Sequence, residues 1–359
     1  MLRAGLIGVG ATGKTTLFQL LTSAHDTRGH GRTEAHVGVA RVPDPRLDQL
    51  TALVNPRKRV PATIEFADLV GPGRADARAL LDVAPFRNAD ALVHVIRTFR
   101  DETIAHPAGS IDPVRDARTM DDEIILADLG VVERRLERLA RDLKKTPDSD
   151  LRTEQETLIR CRTALEDGRP IRALELDSDE AKRLRGFQFL SAKPLLLVIN
   201  MDEADLANVD GAAERAGLGG FLEGAATRAV GVCAKIELEI AQLEAADAQV
   251  FRADLGLHES GPDRVIRASY DLLGYISFFT IGENECRAWS IPRGMSAHLA
   301  AAEIHSDISR GFIRAEVVEH GKLLARGSLA ASREHAELRL EGKDYVVQDG
   351  DVINFRFAT

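Results

Sequence analysis

The sequence predicts an α/β fold: a phosphate-loop sheet domain interrupted by a helical hairpin and followed by a small β-rich module. Three observations carry the prediction. A glycine loop, "GLIGVGATGKTT", sits between a short apolar strand and a helix at the start of the chain. Further short apolar strands end in polar motifs: "ATIEFAD", "DALVHVI", "KPLLLVIN" and "AVGVC". Between the second and third of these lies a long Glu-, Arg- and Leu-rich stretch with helical spacing.

The loop fits two templates. Gly8, Gly10 and Gly13 spell the dinucleotide fingerprint, whereas Gly8, Gly13, Lys14 and Thr15 spell the Walker A loop. A dinucleotide fold needs a second strand ending in an acid about 20 positions on. Here that region reads "DTRGHGRTEAH", with no strand before it. Lys14 and Thr15 have roles only in the Walker reading: the ammonium on the β- and γ-phosphates, the hydroxyl on Mg²⁺. The backbone N–H groups of Gly10, Ala11, Thr12, Gly13, Lys14, Thr15 and Thr16 would cradle phosphate oxygens at a helix N-terminus.

"ATIEFADLVG" is a strand ending in Asp68, with Gly71 three residues later. Asp68 can hold Mg²⁺ through water, and the Gly71 N–H can reach a γ-phosphate. Thr33 is the candidate Mg²⁺-sensing hydroxyl. Pro72 follows Gly71 where a water-orienting side chain could stand. His94, in "DALVHVI", reads as a packed core histidine. "NMDE" places Asn200, Met201 and Glu203 where guanine readers carry N-K-x-D, and "CAK" places Cys233, Ala234 and Lys235 at a base-contacting loop.

In the helical stretch, Leu129, Val132, Leu136, Leu139 and Leu143 form one apolar stripe, and "KKTPDSD" marks the hairpin tip. Arg134, Arg138, Arg141 and Lys145 share a face with interleaved Glu133 and Glu137. Such a face is expected to be solvated and paired, with contact to RNA phosphates as the alternative. From residue 276 onward, short strands and glycine turns make a β-grasp-like module.

The chain has 359 residues, a formal net charge of −9 and 44% hydrophobic residues. It is long enough for two or three domains, and its charge argues against general nucleic-acid binding. Three scattered cysteines suggest neither a disulfide framework nor a C-x-x-C metal site. No apolar run approaches a membrane span, so a cytoplasmic protein is expected.

The order of the motifs resembles the YchF/Obg-like ATPase family. "VPDPRLDQL", "IAHPAGSIDPVRD", "NMDE", "GPDRVIRASYDLLGYISFFT" and "EGKDYVVQDGDVINFRF" carry the resemblance, which covers essentially the whole chain. It implies residues 1–112 and 191–275 as a discontinuous nucleotide domain, 113–190 as a helical coiled-coil insertion and 276–359 as a TGS domain. It implies ATP in preference to GTP, with Mg²⁺, and the ribosome or its RNA as partner. The sequence departs from the family at three points. Ala11 stands for an Asn that holds a monovalent cation in related enzymes, and both switch segments, around Thr33 and after Gly71, are altered. Slow hydrolysis is therefore expected. A nucleotide-dependent adaptor with negligible turnover is the alternative, and the oligomeric state is left open.

Overall fold

The computed structural model describes residues 2–22, 36–68, 84–146, 148–224 and 226–358. Thr33 and Gly71 lie outside the described residues. In chain order the strands are β1 (Leu2–Ile7), β2 (His36–Arg41), β3 (Lys58–Val60), β4 (Thr63–Asp68), β5 (Ala91–Arg97), β6 (Leu195–Asn200), β7 (Thr227–Val232), β8 (Tyr275–Ile281), β9 (Glu285–Pro292), β10 (Phe312–Glu319), β11 (Arg339–Glu341) and β12 (Asp351–Phe357).

Six strands form one sheet in the order β2-β4-β1-β5-β6-β7. β1, β5, β6 and β7 run parallel, with Ile7 opposite His94 and Asn200 opposite both Arg97 and Val232. Every residue of β5 and β6 is buried, as expected for central parallel strands covered on both faces. This explains the near-continuous apolar runs "ALVHVI" and "LLLVI". The parallel order brings the carboxyl ends of β1, β5, β6 and β7 to one edge, where ligands bind in such sheets.

The helical hairpin forms as the stripe predicts. Its helices are Pro113–Lys145 and Ser149–Glu166, and Asp112 and Asp148 cap their first N–H groups. Val132, Leu136 and Leu139 pack against Leu158, Cys161 and Leu165. Arg135 makes two hydrogen bonds to Glu154 across the hairpin, at 2.7 and 2.8 Å. Arg134, Arg138, Arg141 and Lys145 are exposed and form no ion pair among the described residues, which differs from the expected pairing with Glu133 and Glu137. The side chains that do pair are one position off that face and on the opposite helix.

The chain divides into two compact units. One holds residues 1–39 and 65–272, the other 40–64 and 273–359. The sequence reading had grouped 40–64 with the nucleotide-binding residues. In the second unit the strands follow the order β11-β10-β12-β8-β9-β3, and β3 adds itself parallel to β9. The helix Pro45–Val54 buries Leu47 and Leu50 completely. Its Arg46 guanidinium bridges Asp44 at 2.9 Å and Asp349 at 3.0 Å and lies 5.3 Å from the Phe279 ring centroid. The "VPDPRLDQL" motif thus supplies an anchor of this unit. The opposite core of the unit is built on Phe278, Ile291, Phe355 and the small residues Ala297, Ala300 and Ala301, which let the helix Ala297–Ile304 lie close to the sheet.

Candidate nucleotide site

The phosphate end is built by β1, the loop after it and the helix Lys14–Thr22. The first helical hydrogen bond runs from Leu17 N–H to Gly13 O, so the N–H groups before it stand outside the helical ladder. With the helix dipole they make an anion-binding cradle. Glycine is required where the loop passes other atoms. A Cβ on Gly8 would fall 2.6 Å from Val95 O, and one on Gly13 would fall 2.3 Å from Asn200 Nδ2, at φ +85°. Ala11 adopts φ 64° although it carries a side chain.

Lys14 Nζ stands 3.6 Å from Asp68 Oδ1, and the Thr15 hydroxyl donates to Asp68 Oδ2 at 3.3 Å. Asp68 is 1% exposed. Burial raises its pKa, while Lys14 and Thr15 pull it back down. Two oxygen donors, one hydroxyl and one carboxylate, therefore converge beside a lysine under the loop. Mg²⁺ takes hard oxygen ligands, keeps several waters and relies on one or two protein oxygens plus substrate phosphates. The pair Thr15 and Asp68 fits that demand.

The base end is organised by Asn200, which is 4% exposed. Its Nδ2 donates to Thr12 O at 2.9 Å and its Oδ1 accepts from Ala234 N–H at 3.1 Å. Its backbone carbonyl accepts from Thr98 N–H, Thr98 Oγ1 and Phe99 N–H at 2.9, 3.1 and 3.2 Å. One residue ties the phosphate loop, the "CAK" loop and the segment after β5 together. Both ends of its amide are used on protein.

Met201 is buried, its terminal methyl lying where a Cβ on Gly231 would meet it at 2.5 Å. Cys233 and Ala234 are buried as well, and burial pushes the Cys233 thiol up. Glu203 and Lys235 are exposed at the same edge. Two hydrogen bonds from Thr103, followed by the charges of Arg97 and then Lys235, lower the Asp101 pKa. Of the base-side residues singled out in the sequence, only Glu203 and Lys235 present exposed side chains. His94 is 2% exposed inside β5, and burial lowers its pKa to about 3.

Sequence reasoning missed Arg97. It closes β5, is 1% exposed and donates to four backbone carbonyls, among them that of Ala11 in the phosphate loop. A strand-end arginine after an apolar run reads as a surface charge, and its partners are carbonyls, which leave no side-chain signature. Residues of the segment it gathers also flank the loop: Pro107 Cγ would lie 3.4 Å from a Cβ on Gly10.

The family model YchF-GTPase_C, described as a protein of unknown function (DUF933), matches residues 275–358. The chain is 42% identical over 363 residues to the "Ribosome-binding ATPase YchF" of Bacillus subtilis (strain 168), covering 99% of both. The chain belongs to the YchF family. The YchF protein of Haemophilus influenzae carries the same printed name at 39% identity over 365 residues, again covering 99% of both. The solved structure of the Schizosaccharomyces pombe YchF GTPase superimposes with a TM-score of 0.85 at 26% identity, over 99% of this chain and 97% of that one. The YchF fold, a P-loop domain with mixed α/β sheets, is therefore the fold of this chain. Among the described residues no helix is long and apolar enough to cross a membrane.

Proposed function

We propose that this chain is a Mg²⁺-dependent, ATP-preferring P-loop hydrolase of low turnover that acts on the ribosome in the cytoplasm. The observation that carries the reading is the convergence of Lys14 and Thr15 on buried Asp68 beneath the glycine loop. In hydrolysis a water oxygen attacks the γ-phosphorus and the bond to the bridging oxygen breaks, releasing the diphosphate and inorganic phosphate. Lys14 and the loop N–H groups stabilise charge on the transferring phosphoryl. Asp68 accepts the Thr15 hydroxyl proton in a hydrogen bond and so aims the hydroxyl oxygen's lone pairs. Thr15 and, through water, Asp68 would hold Mg²⁺, which when bound neutralises phosphate charge. Thr33, through Mg²⁺, and Gly71, through its N–H on the γ-phosphate, are the proposed sensors. Pro72 has neither an N–H nor a polar side chain to orient the water, which supports low turnover.

ATP preference is supported by Glu203 and Met201. Guanine readers need an in-plane aspartate and a lysine stem, whereas Met201 is buried and Glu203 carries a longer carboxylate. The printed names of the relatives differ, "ATPase" in Bacillus subtilis and "GTPase" in Schizosaccharomyces pombe. The ribosome reading is supported by the names of the bacterial relatives and by the exposed Arg134, Arg138, Arg141 and Lys145 on the hairpin. Phosphate contacts by these side chains would make binding strongly salt-dependent. The test is ATP and GTP affinity measured side by side with Mg²⁺, followed by single-turnover hydrolysis with and without ribosomes. Tighter GTP binding refutes the base preference. Binding without any phosphate release in either condition supports the adaptor instead.

A further inference from the structure

Arg97 is a buried cation whose hydrogen bonds go to carbonyl oxygens. Nη1 donates to Ile104 O at 3.0 Å and to Ala11 O at 3.4 Å, Nε to Phe99 O at 3.1 Å, and Nη2 to Asp101 O at 3.2 Å. The guanidinium lies 4.4 Å from the Phe99 ring centroid. Among the described residues no carboxylate stands within ion-pair distance of it. Burying a charge is costly unless its donors are satisfied. Here carbonyl dipoles satisfy them, and the nearby Asp101 carboxylate, on the same segment, feels the charge.

The four acceptors are not neighbours in sequence. Three belong to the segment after β5 and wrap it around one guanidinium. The fourth belongs to Ala11, the loop residue at φ 64°. A non-glycine residue in this region is strained and persists only where its surroundings hold it. Arg97 reaches the carbonyl of that strained residue at 3.4 Å, the longest of its four hydrogen bonds. On the other flank, Thr98 and Phe99 N–H groups donate to Asn200 O, so the same segment also touches the base end.

We propose that Arg97 is a positioning residue of the nucleotide site: it holds Ala11 in its left-handed conformation and fastens the phosphate loop to the segment 98–107. The proposal rests on the triphosphate reading given above. Arg97 acts through Ala11 and the segment, not by touching the reacting atoms.

The test is a double-mutant cycle read by equilibrium binding of ATP and ADP with Mg²⁺. Arg97→Lys keeps the charge but cannot reach four carbonyls, and should weaken both nucleotides by about tenfold or more. Glycine adopts the left-handed conformation without help. In an Ala11→Gly background the loss from Arg97→Lys should therefore shrink to a few-fold. Additive losses, which a merely structural arginine would give, overturn the positioning role. Should Arg97→Lys fail to fold, amide exchange on the wild-type protein decides instead. ATP should slow exchange in residues 98–107 together with residues 9–15, and protection confined to the phosphate loop overturns the proposal. Wild-type protein that binds no ATP overturns the triphosphate reading itself. Wild-type binding with unchanged affinity in Arg97→Lys overturns only the role of Arg97.

Discussion

The phosphate end and the base end of the site are built on opposite plans. At the phosphate end, the motif side chains meet one another beneath the loop: Lys14 and Thr15 converge on Asp68. At the base end, the motif residues face the protein. Asn200 uses its amide on Thr12 and Ala234, and Met201, Cys233 and Ala234 are buried. Phosphates can be held by backbone N–H groups, so the side chains there are left to do electrostatics. A base must be held by loops in register, so most side chains there are consumed in setting that register.

Breaking the phosphate end gives the largest effect. Lys14→Ala removes the one motif cation aimed at the phosphates, and triphosphate binding should fall by about a hundredfold or to nothing. Isothermal titration with ATP and Mg²⁺ measures it, and wild-type affinity in the mutant would dissolve the contrast between the two ends. Breaking the base end should show up first as lost stability. Asn200→Ala leaves Thr12 O and Ala234 N–H buried without their partner, at about 1–3 kcal/mol each. Urea unfolding should report a loss of roughly 2–6 kcal/mol, accompanied by weaker nucleotide binding.

β5 lies between the two ends, and His94 sits in it opposite Ile7 and Leu197. Burial holds its pKa at about 3, against roughly 6.5 in an unfolded chain. Between those values the unfolded state binds a proton that the native state refuses. Stability therefore falls as pH drops through about 6.5, by up to roughly 1.4 kcal/mol per pH unit from this group alone. His94→Leu should flatten that part of the profile, and an equal pH slope in mutant and wild type would mean that His94 titrates normally.

Two smaller effects sharpen the contrast. Glu203 is the exposed acid of the base end, and Glu203→Asp should shift the ATP-to-GTP affinity ratio towards GTP by a few-fold. An unchanged ratio would remove Glu203 from base selection. At the phosphate end, the Ala11 methyl cannot ligate a cation. Turnover without ribosomes should be about 10⁻⁴ to 10⁻² per second and the same in KCl and NaCl. A tenfold stimulation by K⁺ in phosphate release would show that backbone carbonyls hold the ion without Asn.

What could be read beforehand follows the same division. Lys14, Thr15 and Asp68 were legible because phosphate and Mg²⁺ chemistry demands those groups next to a strand end. His94 was legible because it interrupts an otherwise apolar buried strand. The base-side residues were legible as positions but not as orientations, since sequence does not show that Met201 turns into the core beside Gly231. Arg97 stayed hidden because carbonyl acceptors have no residue code. The pairing of Arg135 with Glu154 stayed hidden because its two members lie on different helices, 19 residues apart. The placement of 40–64 stayed hidden because β3 is three residues long and pairs with Glu285, Cys286 and Arg287, far along the chain.

That last placement has a consequence during synthesis. The second unit is made of residues 40–64 and 273–359, so its first piece leaves the ribosome about 200 residues before its second. At roughly 5–20 residues per second, the segment waits about 10–40 seconds with no partner for β3 and no cover for Leu47 and Leu50. Emergence of residues 273–359, rather than of the glycine loop, is the step that lets this unit close.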